Sequence, residues 1–145
     1  MRPYLLDTNI LIALAWRNHV HHADATDWFR RKGAAAGFRT CPITQTGFVR
    51  ISSNAAFSPL AVLPGEAFAL LQRVTGLPGH GFWADDLSVP DAFDARPVLG
   101  SHRQITDQYL LSLAVAHNGV LATLDRGIVP LARAFPDRLE LVTGN

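Results

Sequence analysis

The sequence holds one cysteine, Cys41, so no disulfide can form within the chain. This suits a reducing compartment, and the thiol is expected to be a small buried residue. It also holds a single lysine, Lys32, beside twelve arginines. Arginine pairs with phosphate through a planar fork, so this bias permits a role on nucleic acid, although genome composition would produce the same count. The net charge of +1 does not by itself call for a polyanionic partner. No apolar stretch approaches the roughly 20 residues needed to cross a bilayer. The opening Met1-Arg2-Pro3-Tyr4 runs into a short apolar segment with no signal-peptide core or cleavage site. The expectation is a soluble, cytoplasmic protein with no membrane association. No Gly-x-Ser-x-Gly elbow is present, which leaves a serine hydrolase without support. Internal repeats, low-complexity tracts and linkers are missing as well.

What is there suits one globular domain over residues 1–145, with 48% hydrophobic and 17% charged residues. A chain of this length buries roughly 68–70% of its unfolded surface, enough to fold without a staple. Tyr4-Leu5-Leu6 reads as a buried strand ending at Asp7, with Thr8 or Asn9 capping a helix through Ile10 to Trp16. A helix is expected from about His22 to Lys32, bracketed by Gly33 and Gly37. A strand over Arg39 to Ile43 follows, with Pro42 inside it, and Thr44 opens the next helix. Further expectations are a helix from Glu66 to Val74, a short strand at Phe82-Trp83, and a helical turn from Pro90 to Ala95, closed by Pro97. The last third is more regular. It has a largely buried helix over Ile105 to Ala116 stopped by Asn118-Gly119, a strand over Val120 to Leu124, a helix from Gly127 to Phe135, and a strand over Leu139 to Val142. Strands that are apolar throughout and alternate with helices imply a mainly parallel sheet covered on both faces, a three-layer α/β/α sandwich.

Two of these strands end in aspartate, Asp7 and Asp125. Ligands of open α/β sheets bind outside the carboxyl ends of the strands. Asp107 lies in the first turn of the helix that runs antiparallel into the Asp125 strand, so its end returns to the same rim. Three carboxylates there would raise one another's pKa values, and a hard divalent cation would relieve the repulsion. Such a site can activate water for phosphodiester cleavage. Each aspartate also has a local explanation: a cap at Asp7, a helix-dipole contact at Asp107, and a turn at Asp125. Arg50, His102, Arg103 and Arg126 are candidate phosphate contacts on RNA, or plain surface charges. His19, His21 and His22 read as a solvated helix start, with a transition-metal site as the alternative. Trp16, Trp28 and Trp83 could stack bases, but helical spacing makes Trp28 a core residue first.

Leu5-Leu6-Asp7-Thr8-Asn9 resembles the opening signature of PIN-domain nucleases. Ile105-Thr106-Asp107-Gln108-Tyr109-Leu110 and Leu121-Ala122-Thr123-Leu124-Asp125-Arg126 resemble the motifs around their later acids. Order and spacing also match, and the run from His102 to Asp107 looks like the VapC toxins of toxin–antitoxin pairs. The resemblance implies a PIN-like fold and a Mg²⁺ site, with Mn²⁺ as a substitute, made by Asp7, Asp107 and Asp125. It implies cleavage of RNA, commonly tRNA or rRNA, by metal-activated water. It also implies a homodimer and a cognate VapB-type antitoxin that blocks the metal groove. Thr8, Asn9 and Thr123 match positions that support the acids. The family usually has a glutamate where this chain has Gln45, a neutral oxygen donor that cannot act as a general base. The only glutamates, Glu66 and Glu140, lie elsewhere, and Asp85, Asp86 and Asp91 are either solvated loop acids or compensating ones. Two outcomes follow from Gln45: a nuclease with weaker metal affinity, or a non-catalytic PIN-like module that binds RNA or protein. A phosphoacceptor domain would need a lysine at a late strand end, and Lys32 lies in an early helix.

Overall fold

A computed structural model of the chain describes residues 1–93 and 101–143. Five short strands form one parallel sheet in the order β3-β2-β1-β4-β5: β1 Tyr4–Leu6, β2 Phe38–Thr40, β3 His80–Phe82, β4 Val120–Thr123 and β5 Leu139–Leu141. The chain lays down β1, β2 and β3 in one direction, then returns to place β4 on the other side of β1. Leu5 pairs with Leu121 and Leu6 with Ala122 across that junction. The strand order therefore reverses between β1 and β4, which is where an open α/β sheet forms a crevice at its carboxyl edge.

Alternation along the strands sorts the core into two layers. Leu5 and Leu121 face a cluster with Leu110, Leu111, Leu113 and Ala114 of helix α7 (Ile105–Ala116). Leu6 and Ala122 face the other cluster. It contains Ile10, Leu11 and Ile12 of α1 (Thr8–Ala15), Trp28 of α2 (His22–Trp28), Phe48 of α4 (Pro42–Ser52) and Leu71 of α5 (Pro64–Thr75). Helices thus cover both faces, and the expected α/β/α sandwich is what the structure shows, with every strand pair parallel. Among the described residues, no helix is long and apolar enough to cross a membrane.

Several boundaries differ from those read off the sequence, each for a physical reason. Helix α1 is capped by Asp7, whose side chain accepts from the Thr8 N–H, and not by Thr8 or Asn9. The second helix does not stop at Gly33. It widens into a π-turn over Phe29–Gly33 and continues as α3 (Ala34–Ala36), and Gly37 ends it at a φ of 86° that favours glycine. Strand β2 ends at Thr40, because Pro42 opens helix α4 behind a Cys41 cap. Proline suits that first helical position, where its missing N–H costs nothing. Strand β3 begins two residues earlier than expected, and the Trp83 N–H still donates to the Thr40 carbonyl at 2.9 Å. After β4, Pro130 removes an N–H and the chain makes a 3₁₀ turn over Arg126–Ala132 instead of an α-helix. A second 3₁₀ turn covers Pro136–Arg138. Helix α6 spans Val89–Phe93. The expected end of that turn at Ala95, and Pro97 beyond it, lie outside the described residues.

Asn118, with a φ of 56°, closes α7 as expected. Gly119 then leads into β4 under tight constraint. A Cβ there would lie 2.5 Å from Trp83 Cη2 and 2.9 Å from the Pro3 carbonyl. Trp83 has little room to yield, because its ring stacks on His117 at 4.5 Å. Gly119→Ala should therefore lower unfolding free energy by about 1–3 kcal/mol in urea denaturation. Gly65→Ala, in the first turn of α5 with nothing near its added methyl, should raise it by about 0.5–1 kcal/mol.

Candidate functional site

Asp7 leaves β1 at the crevice and is 7% exposed. Its N–H donates to the Ala122 carbonyl at 2.9 Å, which ties the strand end to β4. One carboxylate oxygen, Oδ1, accepts from the Thr8 N–H at 2.7 Å. The other, Oδ2, accepts from the Thr123 hydroxyl at 2.8 Å and from Asn9 Nδ2 at 3.5 Å. Asn9 also donates to Thr123 Oγ1 at 3.2 Å and accepts from the Leu124 N–H at 3.1 Å. Its amide therefore clamps the end of β1 to the end of β4. Thr123 Oγ1 accepts from the Asp125 N–H at 3.1 Å, and Asp125 Oδ1 accepts from the Gly127 N–H at 2.8 Å. Thr8 through its backbone N–H, and Asn9 and Thr123 through their side chains, thus hydrogen-bond Asp7, and Thr123 also accepts from the Asp125 N–H.

Electrostatics joins Asp107 to this pair. Burial, then the charges of Asp7 and Asp125, push the half-buried Asp107 carboxyl up to about 6. Burial also raises Asp7, with Asp125 adding to it, although the Thr123 and Thr8 hydrogen bonds pull the other way. Among the described residues, no arginine, lysine or histidine forms an ion pair with any of the three. The donors are hard carboxylate oxygens, buried at Asp7, half-buried at Asp107 and exposed at Asp125, and the first two face like charge; that set fits a hard dication. It is not a closed cage. Among the described residues, no three His, Cys, Asp or Glu side chains converge tightly enough to hold an ion by themselves. Mg²⁺ takes only one or two carboxylates directly and keeps several waters, so a closed cage is not required of such a site. The same finding leaves His19, His21 and His22 without a metal-binding cluster. His19 Nδ1 accepts the His21 N–H at 3.0 Å, and His22 bonds the Ala13 carbonyl at 2.7 Å.

Gln45 projects from the first turns of α4, just beyond the end of β2. Its Nε2 donates to Thr40 Oγ1 at 2.9 Å, and Thr40 in turn bonds His80 Nε2 at 2.8 Å. Thr40 is fully buried and was not singled out by sequence, although it ends its strand as Asp7 and Asp125 follow theirs. Gly47 was missed too. A Cβ there would lie 2.8 Å from Thr8 Oγ1, so its bare backbone lets α4 press against the acid-bearing turn. A glycine inside a helical run is the sequence signal for such an approach.

The other candidates fall in different places. Arg126 is exposed beside Asp125. His102 and Arg103 sit exposed in a 3₁₀ turn, His102–Gln104, that leads into α7. Arg50 occupies the last turn of α4, roughly 12 Å along the helix from Pro42 at the rim, so the fold does not bring it to the acids. Asp86 is exposed and pairs with His117 at 2.8 Å. Asp91 is exposed in the first turn of α6. Asp85 is not a solvated loop acid: its Oδ1 is buried without a hydrogen-bond partner among the described residues. Trp28 is buried, with Nε1 donating to Glu140 at 2.9 Å, and Trp16 and Trp83 are likewise engaged, with Ser52 and His117.

The chain matches known proteins over most of its length. Residues 4–134 fit the family model described as PIN domain. Ribonuclease VapC39 of Mycobacterium tuberculosis is 46% identical over 132 residues, covering 90% of this chain and 94% of that protein. Ribonuclease VapC38 of the same organism is 42% identical over 140 residues, covering 96% and 97%. Among solved structures, VapBC2 of Rickettsia felis, bound to a DNA fragment from its promoter, shares the fold with a TM-score of 0.62. It is 11% identical and covers 97% of this chain and 98% of that one.

The raised Asp107 has a thermodynamic consequence. Its folded pKa of about 6 exceeds its ordinary 3.8, so ionising it costs the fold stability. That cost is absent below about 4, grows as pH rises through 6, and is complete at neutral pH. Asp107→Asn should therefore be more stable than the wild type at pH 7 in chelator, and the gap should close as pH falls from 6 to 4. Paired thermal melts across that range measure it, and a gap independent of pH would contradict the assignment.

Proposed function

Because the chain belongs to the PIN-domain family, among its VapC ribonucleases, we propose that it is a Mg²⁺-dependent endoribonuclease and the toxin of a toxin–antitoxin pair. The observation that carries this reading is the buried Asp7 and half-buried Asp107, their carboxyls raised by burial and by the charge of Asp125 beside them, with no cationic partner among the described residues. These three aspartates would hold the ion, with Mn²⁺ able to replace it. When bound, Mg²⁺ supplies Lewis acidity toward phosphate and a more acidic water.

The residues of the chain prepare that chemistry. The Thr123 hydroxyl and the Thr8 N–H fix the plane of the Asp7 carboxylate. The Gly127 N–H occupies Asp125 Oδ1 and leaves Oδ2 to face the ion or its water. Asn9 keeps the two strand ends in register, so the carboxylates stay at a constant spacing. Asp107, pushed up to about 6, is the group best placed to exchange a proton near neutral pH when no metal is bound. Gln45 offers a neutral oxygen at most, since its amide nitrogen is committed to Thr40. The substrate is RNA, with tRNA or rRNA the expected class. A VapB-type antitoxin, a homodimer and a cytoplasmic setting complete the proposal, by likeness to the family.

End-labelled RNA with purified protein tests it. Cleavage should require Mg²⁺ or Mn²⁺ and stop in chelator. Asp7→Asn, Asp107→Asn and Asp125→Asn should each cost more than the roughly 10–100-fold that loss of a supporting contact costs. Gln45→Glu should lower the half-saturating Mg²⁺ concentration, and an unchanged value would mean that the amide does not weaken the site. The neutral, committed Gln45 is also what favours the second reading, a module that binds RNA without cutting it. Tight RNA binding with no cleavage at any metal concentration would establish that reading instead.

A further inference from the structure

Next to Asp125 an open cleft of about 560 Å³ lies between the start of α2 and the end of β5. Its volume lies within the roughly 300–1,000 Å³ of small-molecule sites. Its lining is mostly polar: His21, Asp24, Asp125, Arg126 and Thr143, with Leu124 and Val142 as the apolar part. Val142 is buried, so the half-buried Leu124 supplies most of the apolar surface of the cleft. Asp24 is half-buried in the first turn of α2. That position explains a negative charge there but leaves its hydrogen-bonding capacity unused. Among the described residues, no hydrogen bond or ion pair engages the carboxylate of Asp24 or the guanidinium of Arg126. An acid and a base share one cleft without pairing. A cation is a poor occupant, because the unpaired guanidinium of Arg126 shares the cleft.

An occupant that brings both N–H donors and negative charge answers both unpaired groups. A nucleotide does this: its phosphate would meet Arg126, its base would lie against Leu124, and its Watson–Crick edge would reach Asp24. An ionised carboxylate only accepts hydrogen bonds, and it has two oxygens. Guanine presents two adjacent donors, N1–H and N2–H, that match both oxygens. Adenine and cytosine offer only the exocyclic amino group, and uracil only N3–H. We propose that this cleft is a base-reading subsite that selects guanine in the nucleotide next to the cleaved bond, with Asp24 as its specificity-determining residue. The position relative to the cleaved bond rests on the nuclease reading above, whereas the guanine preference does not.

A titration of the metal-free full chain in chelator, followed by amide NMR, separates the two. Guanosine 5′-monophosphate should shift the amides of Asp24, Leu124, Arg126 and Val142 and bind several-fold more tightly than the adenosine analogue. Asp24→Asn should weaken the guanine nucleotide about tenfold and erase the preference, as expected for loss of a charge-assisted pair. Arg126→Gln should weaken both nucleotides equally while keeping the preference. Amide spectra of each variant report whether it is folded, and in Mg²⁺ the cut sites in RNA should lie beside guanines for the wild type but not for Asp24→Asn. Equal binding of the two nucleotides, or shifts confined to residues outside the cleft, would overturn the subsite even if RNA is cleaved normally. Guanine preference in a protein that cleaves nothing would sustain the subsite and defeat the nuclease reading.

Discussion

A carboxylate placed almost out of water at the end of β1 sets the terms for the whole carboxyl edge of the sheet. Asp7 is costly there, and two hydrogen bonds, from the Thr123 hydroxyl and the Thr8 N–H, only partly offset the burial. The surrounding structure holds this charge still. Asn9 bridges β1 to β4, Asp7 caps α1, and Gly47 lets α4 close against Thr8. The site is strained electrostatically and rigid geometrically, the condition in which an ion from solution gains most by binding.

The sheet order explains why three aspartates far apart in sequence share one place. With β4 returning to the other side of β1, the two central strands end together, and their connections diverge to opposite faces. The residue after β1 and the second residue after β4 then flank the same crevice. Helix α7, antiparallel to β4, returns Asp107 to that edge from the opposite layer. The cleft beside Asp125 lies between the start of α2 and the end of β5. On the proposed reading, the metal site and the base-reading cleft would share Asp125.

Gln45 shows how a change of one atom in a side chain propagates. The amide nitrogen needs an acceptor, finds Thr40, and draws that hydroxyl into a chain that ends on His80. A carboxylate in its place would have to accept from Thr40 instead, reversing the order of donors. Burial and the nearby Arg39 lower the pKa of His80, which disfavours a charge at the end of this chain.

The parallel sheet, its two-sided core and the rim position of Asp7 and Asp125 were readable in the residues, because apolar strands ending in an acid leave few other arrangements. The long buried helix over Ile105 to Ala116 was readable to its last residue, since its periodicity and its Asn118-Gly119 stop agree. Boundaries set by single local conflicts were harder to read: the π-turn that carries the second helix past Gly33, and Pro42 as a helix start. What the chain order could not contain is proximity. Thr40 beneath Gln45, Gly47 against Thr8, and Asp24 across a cleft from Val142 are contacts between elements distant in sequence, and only the packing of helices on the sheet decides them. Composition and periodicity specify which surface each element must bury, and so the fold. The distances among polar groups depend on how closely those elements approach, which no single stretch of residues encodes.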